Sequence, residues 1–209
     1  MPSLIGHLRP TEQQALLDDL NYLNMSEFRG FCDRHDIPYT IWIETASGEH
    51  KRTRDTDRKA IVLDRIRNYL KTGNIAPATS FAYRIVRVGV DPPAVFQPGH
   101  RLYYGWYNKK NQALMEFLKS LTGDQFRDGA VARLLMRDFW TAGHAPTLRQ
   151  FATAWQKAQQ QGLGEHPECA WLTDRAHKTA GKDWKAKRVQ IASRVLAILD
   201  EIPIPRKAN

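Results

Sequence analysis

Apolar positions along this chain recur mostly at helical spacing and mark out a series of amphipathic segments. Leu16, Leu17, Leu20 and Leu23 predict a first short helix, with Thr11 as its N-cap and Glu12 near the positive end of its dipole. Phe28, Phe31 and Cys32 lie on one side of a second helix over residues 26–35. Ser26 would cap it, and Ile37-Pro38 stops it because the residue before a proline is pushed out of the α region. Ile61, Val62, Ile66 and Leu70 form the stripe of a third helix over residues 57–71, for which Asp55, Thr56 and Asp57 offer caps. The second and third helices can share one small core. Between them, residues 39–45 are rich in β-branched and aromatic side chains, and Ala46-Ser47-Gly48-Glu49 supplies a turn before His50-Lys51-Arg52-Thr53-Arg54. That pattern predicts a β-hairpin, with Lys51, Thr53 and Asp55 on one face of its second strand and Arg52 and Arg54 on the other.

The character changes after residue 74. Pro77, Pro92, Pro93 and Pro98 surround the apolar run 81–90, which reads as a strand or as a helical start after Thr79 or Ser80, and the prolines mark a linker over residues 76–110. Helical periodicity returns with Leu114, Phe117, Leu118 and Leu121, ended by Thr122-Gly123. Asp124 then offers a cap for a helix through Phe126, Val131, Leu134, Leu135, Phe139 and Trp140, closed at Gly143. Thr147 caps the next, and the pair joined by residues 141–146 resembles a helix-turn-helix in outline, although a generic helical hairpin has the same pattern. Its second member offers Arg149, Gln150, Gln156 and Lys157 as polar readers, with Gly162-Leu163-Gly164 ending it. A last long helix over residues 182–201 carries Trp184, Ile191, Val195, Ile198 and Ile202 on one stripe, with Leu199 beside it, before Pro203 and Pro205. The fold class is therefore mainly α: a helix-loop-helix module with a small β-hairpin insertion (residues 1–75), the linker, and a helical C-terminal domain (residues 111–209).

Composition adds that a chain of 209 residues with 42% hydrophobic content can bury a real core. It contains no apolar run near the length of about 20 residues needed to span a bilayer, and the N-terminus lacks the pattern of a signal peptide. A cytoplasmic protein is expected. The two cysteines, Cys32 and Cys169, make no disulfide framework. Charge changes the picture more. The formal net charge is +9 and is unevenly spread. Residues 50–71 carry eight basic side chains against three acidic ones, and residues 175–194 carry seven against one, whereas residues 1–49 carry three against eight. Two concentrated basic blocks favour a polyanion partner such as nucleic acid.

The run Leu23-x-Met25-Ser26-Glu27-Phe28-Arg29-x-Phe31-Cys32-Asp33-Arg34-His35-x-Ile37-Pro38, followed by Asp57-Arg58-Lys59-Ala60-Ile61-Val62-Leu63-Asp64-Arg65-Ile66-Arg67-x-Tyr69-Leu70, resembles a SAP domain. It is also similar to the related module at the N-terminus of transcription terminator Rho. The resemblance implies a helix, extended loop, helix module that binds DNA, with Arg58-Lys59-Ala60 as the basic start of its second helix. Residues 39–56 lengthen the connection beyond the family's few residues, and the glycine common before the basic start is absent. The segment Phe117-Leu118-Lys119-x-x-x-Gly123-x-x-Phe126-Arg127-Asp128 and the helical remainder after it resemble the region following the SAP-like module in some uncharacterised bacterial proteins, which assigns no activity.

The expected interface then comprises Lys51, Arg52, Arg54, Arg58 and Lys59 from the module and Lys182, Lys185, Lys187 and Arg188 from the last helix. Phosphate contacts of this kind bind with weak sequence preference. The SAP resemblance implies duplex DNA as the partner, whereas the Rho-like one slightly favours RNA; binding to DNA would place the protein at the nucleoid. The aromatic and cationic run 101–110 could stack bases, but core packing is the better reading. Catalytic motifs are absent: there is no Gly-x-Gly-x-x-Gly, phosphate loop, His-Glu-x-x-His or Cys-x-x-Cys. No cofactor or catalytic residue is expected. His166, Cys169 and His177 fall short of a four-ligand zinc site, so no metal is expected either. Asp55, Asp57 and Asp64 with Lys59 could serve a metal-dependent nuclease, but they read better as caps and ion-pair partners. A protein-interaction adaptor, in a phage-related or defence assembly, is the alternative.

Overall fold

A computed structural model describes residues 3–161 and 181–204. Its α-helices are α1 (Pro10–Asp19), α2 (Met25–Arg34), α3 (Lys59–Thr72), α4 (Gln112–Leu121), α5 (Ala130–Thr141), α6 (Leu148–Gln161) and α7 (Gly181–Asp200). Three strands, β1 (Thr40–Glu44), β2 (His50–Thr56) and β3 (Ser80–Phe81), form one small sheet in the order β2-β1-β3. The fold is thus mainly α with a small sheet. Among the described residues no helix is long and apolar enough to cross a membrane. His166, Cys169, His177, Arg175, Lys178, residues 162–164 and the tail from Pro205 lie outside the described residues, as do the side chains of Lys182, Trp184 and Lys185.

Two compact units divide the described chain. One takes the described chain up to Thr40, Arg54–Ala78 and α7; the other takes Ile41–Thr53 and the chain from Thr79 through α6. In the first unit, Leu16, Leu17, Leu20, Phe28, Phe31, Val62, Ile66 and Leu70 form a core that also receives Val195 and Leu199 of α7. α7 packs on α1, on the 3-10 turn Leu20–Tyr22 and on α2. The last helix, expected in a separate C-terminal domain over 111–209, therefore belongs to the N-terminal unit, because its stripe of Ala192, Val195, Leu199 and Ile202 is buried there.

Local chemistry sets the helix ends, and it moves some of them from the expected positions. α1 starts at Pro10 after Arg9, not at a Thr11 cap; proline suits the first helical position because its missing N–H would be an orphan there anyway. Asn24, not Ser26, caps α2: its side-chain oxygen accepts from the backbone N–H groups of Ser26 at 2.9 Å and Glu27 at 3.0 Å. The Glu27 carboxylate accepts in return from the Asn24 N–H at 2.6 Å, completing a capping box. α3 begins at Lys59 with no side-chain cap and ends at Gly73, whose φ of 69° is the left-handed geometry of a helix stop. Asp57 does not cap it. Its carboxylate points inward and accepts from Arg65 at 2.6 Å, both side chains being buried, and Arg65 also donates to the Pro38 carbonyl at 2.8 Å.

In the second unit, the stretch 76–110 expected as a linker is core. Phe81, Ile85, Val86, Phe96, Leu102 and Tyr104 are buried with Leu114, Leu118, Met136, Trp140 and Phe151. β3 is only two residues long and pairs parallel to β1, setting Trp42 against Ser80 and Ile43 against Phe81. A 3-10 turn, Tyr83–Ile85, follows. Neither the strand nor the helical start expected for 81–90 runs through the segment; beyond this turn the chain makes isolated backbone bridges, Val86 with Tyr104 and Arg101 with Thr147. The aromatic run 101–110 also serves the core: Phe81 and Trp140 meet Tyr104 edge-on, with centroids 5.1 and 5.3 Å apart. Asp124 adopts φ 61° and its N–H closes α4 on the Lys119 carbonyl, so α5 starts later than expected, at Ala130 after Gly129.

Candidate nucleic-acid interface

The expected cations fall into two groups. Lys51, Arg52 and Arg54 are exposed on β2, which is an edge strand of the sheet. Thr53 between them donates its hydroxyl to the Ile41 carbonyl at 2.8 Å, fixing the strand while its cationic neighbours face water. Lys187 is exposed on α7. Lys59 and Arg188 are exposed less and make contacts within the protein. Lys59 donates to the Asn21 carbonyl at 2.6 Å and lies 5.7 Å from the centre of the Phe28 ring. Burial lowers the pKa of its ammonium, with the Arg188 charge acting in the same direction and Glu27 opposing. Arg188 donates to the Tyr22 carbonyl at 2.9 Å and forms an ion pair with Glu27. Arg58 is half-buried. Lys59 and Arg188 therefore hold the first unit together, a role that charge counting cannot distinguish from phosphate binding.

The aspartates considered for metal chemistry are likewise occupied. Asp57 is buried against Arg65, and Asp64 lies 3.6 Å from Arg67 one helical turn away. Among the described residues no three His, Cys, Asp or Glu side chains are grouped to hold a metal ion.

The sequence pattern points less strongly to the second unit, where the structure brings more together. α5 ends in a left-handed Gly143 (φ 71°), and the N–H of His144 reaches back to the Phe139 carbonyl at 2.9 Å. Thr147 caps α6 as expected: its hydroxyl accepts from the Gln150 N–H at 3.1 Å, and the Gln150 side chain accepts from the Thr147 N–H at 2.8 Å. The loop before α4 ties down this turn. Leu102 N–H donates to the Pro146 carbonyl at 2.8 Å, Leu148 N–H to the His100 carbonyl at 2.8 Å and Arg149 N–H to the Pro98 carbonyl at 3.1 Å. Leu148, Phe151, Ala152 and Trp155 then bury one side of α6, leaving Arg149, Gln150, Thr153, Lys157 and the glutamines 159–161 exposed. The whole helix has no acidic residue. Gln156, one of the four expected readers, is half-buried.

A cleft of about 330 Å³ opens beside the same turn, lined by Arg84, Ile85, Arg101, Tyr103, Gly143, His144 and Ala145. Arg101 donates to the Ala145 carbonyl at 2.8 Å. The sequence signal for it is spread over three segments some 16 to 60 positions apart, so no local motif shows it.

No protein-family model matches this chain, and neither a curated protein nor a solved structure does.

Proposed function

We propose that this protein binds duplex DNA and acts without catalysis, reading the duplex with α6 and holding the phosphate backbone with exposed cations. The observation that carries this reading is the exposed face of α6. A solvated helix ordinarily mixes acids with bases, since pairs of opposite charge three or four residues apart stabilise it. α6 instead presents Arg149, Gln150, Thr153 and Lys157 with no carboxylate. Arg and Gln are side chains that pair with the major-groove edges of guanine and adenine, and Lys and Thr contact phosphate. The α5–turn–α6 arrangement supports a helix-turn-helix role for this pair. Lys51, Arg52 and Arg54 on β2 and Lys187 on α7 add exposed positive charge in their respective units. The packing of α2 and α3 in one core supports reading the first unit as SAP-like.

Electrophoretic titration with duplex DNA, single-stranded DNA and RNA at two salt concentrations tests the proposal. Duplex should bind at low salt and dissociate as salt rises. Equal affinity for all three would remove α6 as a groove reader.

One observation favours an adaptor as the second reading. Val88, Val90 and Val95 are exposed on one irregular segment of the second unit, Val95 at 75% of its surface. Failure to bind any nucleic acid at low salt would move the reading to this alternative.

A further inference from the structure

We infer that the cleft beside the α5–α6 turn is a phosphate site built from Arg84, Arg101 and His144, and that it seats a phosphate of the DNA backbone as α6 engages the duplex. The DNA part rests on the function proposed above; the phosphate chemistry rests on the cleft.

Three features of the cleft converge on that ligand. Its lining holds two guanidinium groups and an imidazole, and no carboxylate is among the lining residues. Guanidinium is the side chain best matched to a phosphate, because its planar donors pair with two oxygens at once. Second, the turn is shaped to let Arg84 approach. The Arg84 Nη2 atom lies 3.2 Å from where a Cβ on Gly143 would stand, and Gly143 has the positive φ that favours a residue without one. Arg84 is itself exposed, and no hydrogen bond or ion pair engages it among the described residues. Third, the usual alternative for anion binding at a helix start is closed. The N–H groups of Leu148 and Arg149 donate to the His100 and Pro98 carbonyls, and that of Gln150 donates to Thr147. An anion arriving at this end of α6 must be held by side chains, and those of Arg84, Arg101 and His144 are the ones in place. Arg101 already donates one N–H to Ala145, so its guanidinium is oriented and keeps further donors for a ligand.

The test compares full-length protein with Arg84→Ala, Arg84→Lys and Lys119→Ala. Lys119 is an exposed cation of α4 outside the cleft, so its removal changes net charge by the same amount. Each variant is first checked for an unchanged melting temperature. Fluorescence anisotropy with a labelled duplex should show Arg84→Ala weakened by about tenfold, the effect of removing one charge-assisted hydrogen bond. Its log-log salt slope should be shallower by about 0.9. Arg84→Lys should recover part of the affinity, and Lys119→Ala should stay near wild type. Equal weakening by Arg84→Ala and Lys119→Ala, or none by either, would overturn the claim that the site seats a backbone phosphate while leaving DNA binding intact.

A second arm separates the phosphate source. Inorganic phosphate and a deoxynucleoside monophosphate are titrated while His144 ring signals are followed by NMR. Saturable shifts in wild type that vanish in Arg84→Ala support the site's anion chemistry; if the duplex does not bind at all, they also assign the site to a free phosphate and overturn the backbone claim. No Arg84-dependent response to duplex or to either small phosphate overturns the inference entirely.

Discussion

At the scale of single residues, several side chains have roles that can be measured without knowing the ligand. Asp57 and Arg65 form a buried ion pair at 2.6 Å, and removing one partner strands the other charge away from water. Asp57→Ala should cost about 3–5 kcal/mol in denaturant unfolding; a cost below about 1 kcal/mol would mean the pair is solvated. Cys32 is fully buried, and burial, with the Asp33 charge adding to it, pushes its thiol up to about 12. It should resist alkylation near neutral pH until the protein is unfolded, which peptide mass spectrometry reads separately from Cys169. His35 is buried with its Nδ1 3.1 Å from the Tyr69 hydroxyl. Burial, assisted by the Arg34 charge, holds its imidazole below the ordinary value. The unfolded chain then takes up the proton first. His35 contributes its full stability above about pH 6.5, and that contribution falls away as pH drops toward the lowered folded value. The melting temperature should therefore drop between about pH 7.5 and 5.5 in wild type, and less steeply in His35→Gln. Identical slopes would show that His35 is not the group responsible.

At the scale of elements, the turn between α5 and α6 is the feature on which the functional reading depends. Gly143→Ala forces a side chain into a left-handed φ and against Arg84, and should destabilise the protein by about 1–3 kcal/mol. Thr147→Ala removes the α6 cap and should cost about 1 kcal/mol. If Gly143→Ala melts like wild type, the turn does not have this geometry. Elements of this kind are the most legible part of the sequence. The hairpin, α2, α3, α4 and the Thr147 cap follow from periodicity and capping chemistry, because those are set by neighbours a few positions away. The start of α3 is less legible, since Asp57 is a cap by local rules and an Arg65 partner by tertiary ones. The same competition hides the roles of Lys59 and Arg188, whose acceptors lie 38 and 166 positions distant in the chain.

At the scale of the whole molecule, what stays illegible in the sequence is the order in which segments join a core. Four prolines between residues 77 and 98 look like a linker, yet Phe81, Ile85 and Phe96 among them are buried in the second unit. Prolines interrupt hydrogen-bonded ladders but not side-chain burial. α7 returns to the N-terminal unit because its apolar stripe completes that core, a packing arrangement that no local window contains. The global charge is legible: the formal net charge is +9, and Lys51, Arg54 and Lys187 are exposed, which is the charge distribution the proposed DNA binding calls on. The most direct measurement is the affinity for a labelled DNA duplex as a function of salt, in wild type and in an Arg149→Ala/Lys157→Ala variant of unchanged melting temperature. Duplex DNA should bind at low salt, with a linear fall in log affinity against log salt. The variant's slope should be shallower by up to about 1.8, from about 0.9 for each phosphate that the protein no longer neutralises. Absence of duplex binding at low salt, or a variant indistinguishable from wild type, would contradict DNA binding through α6.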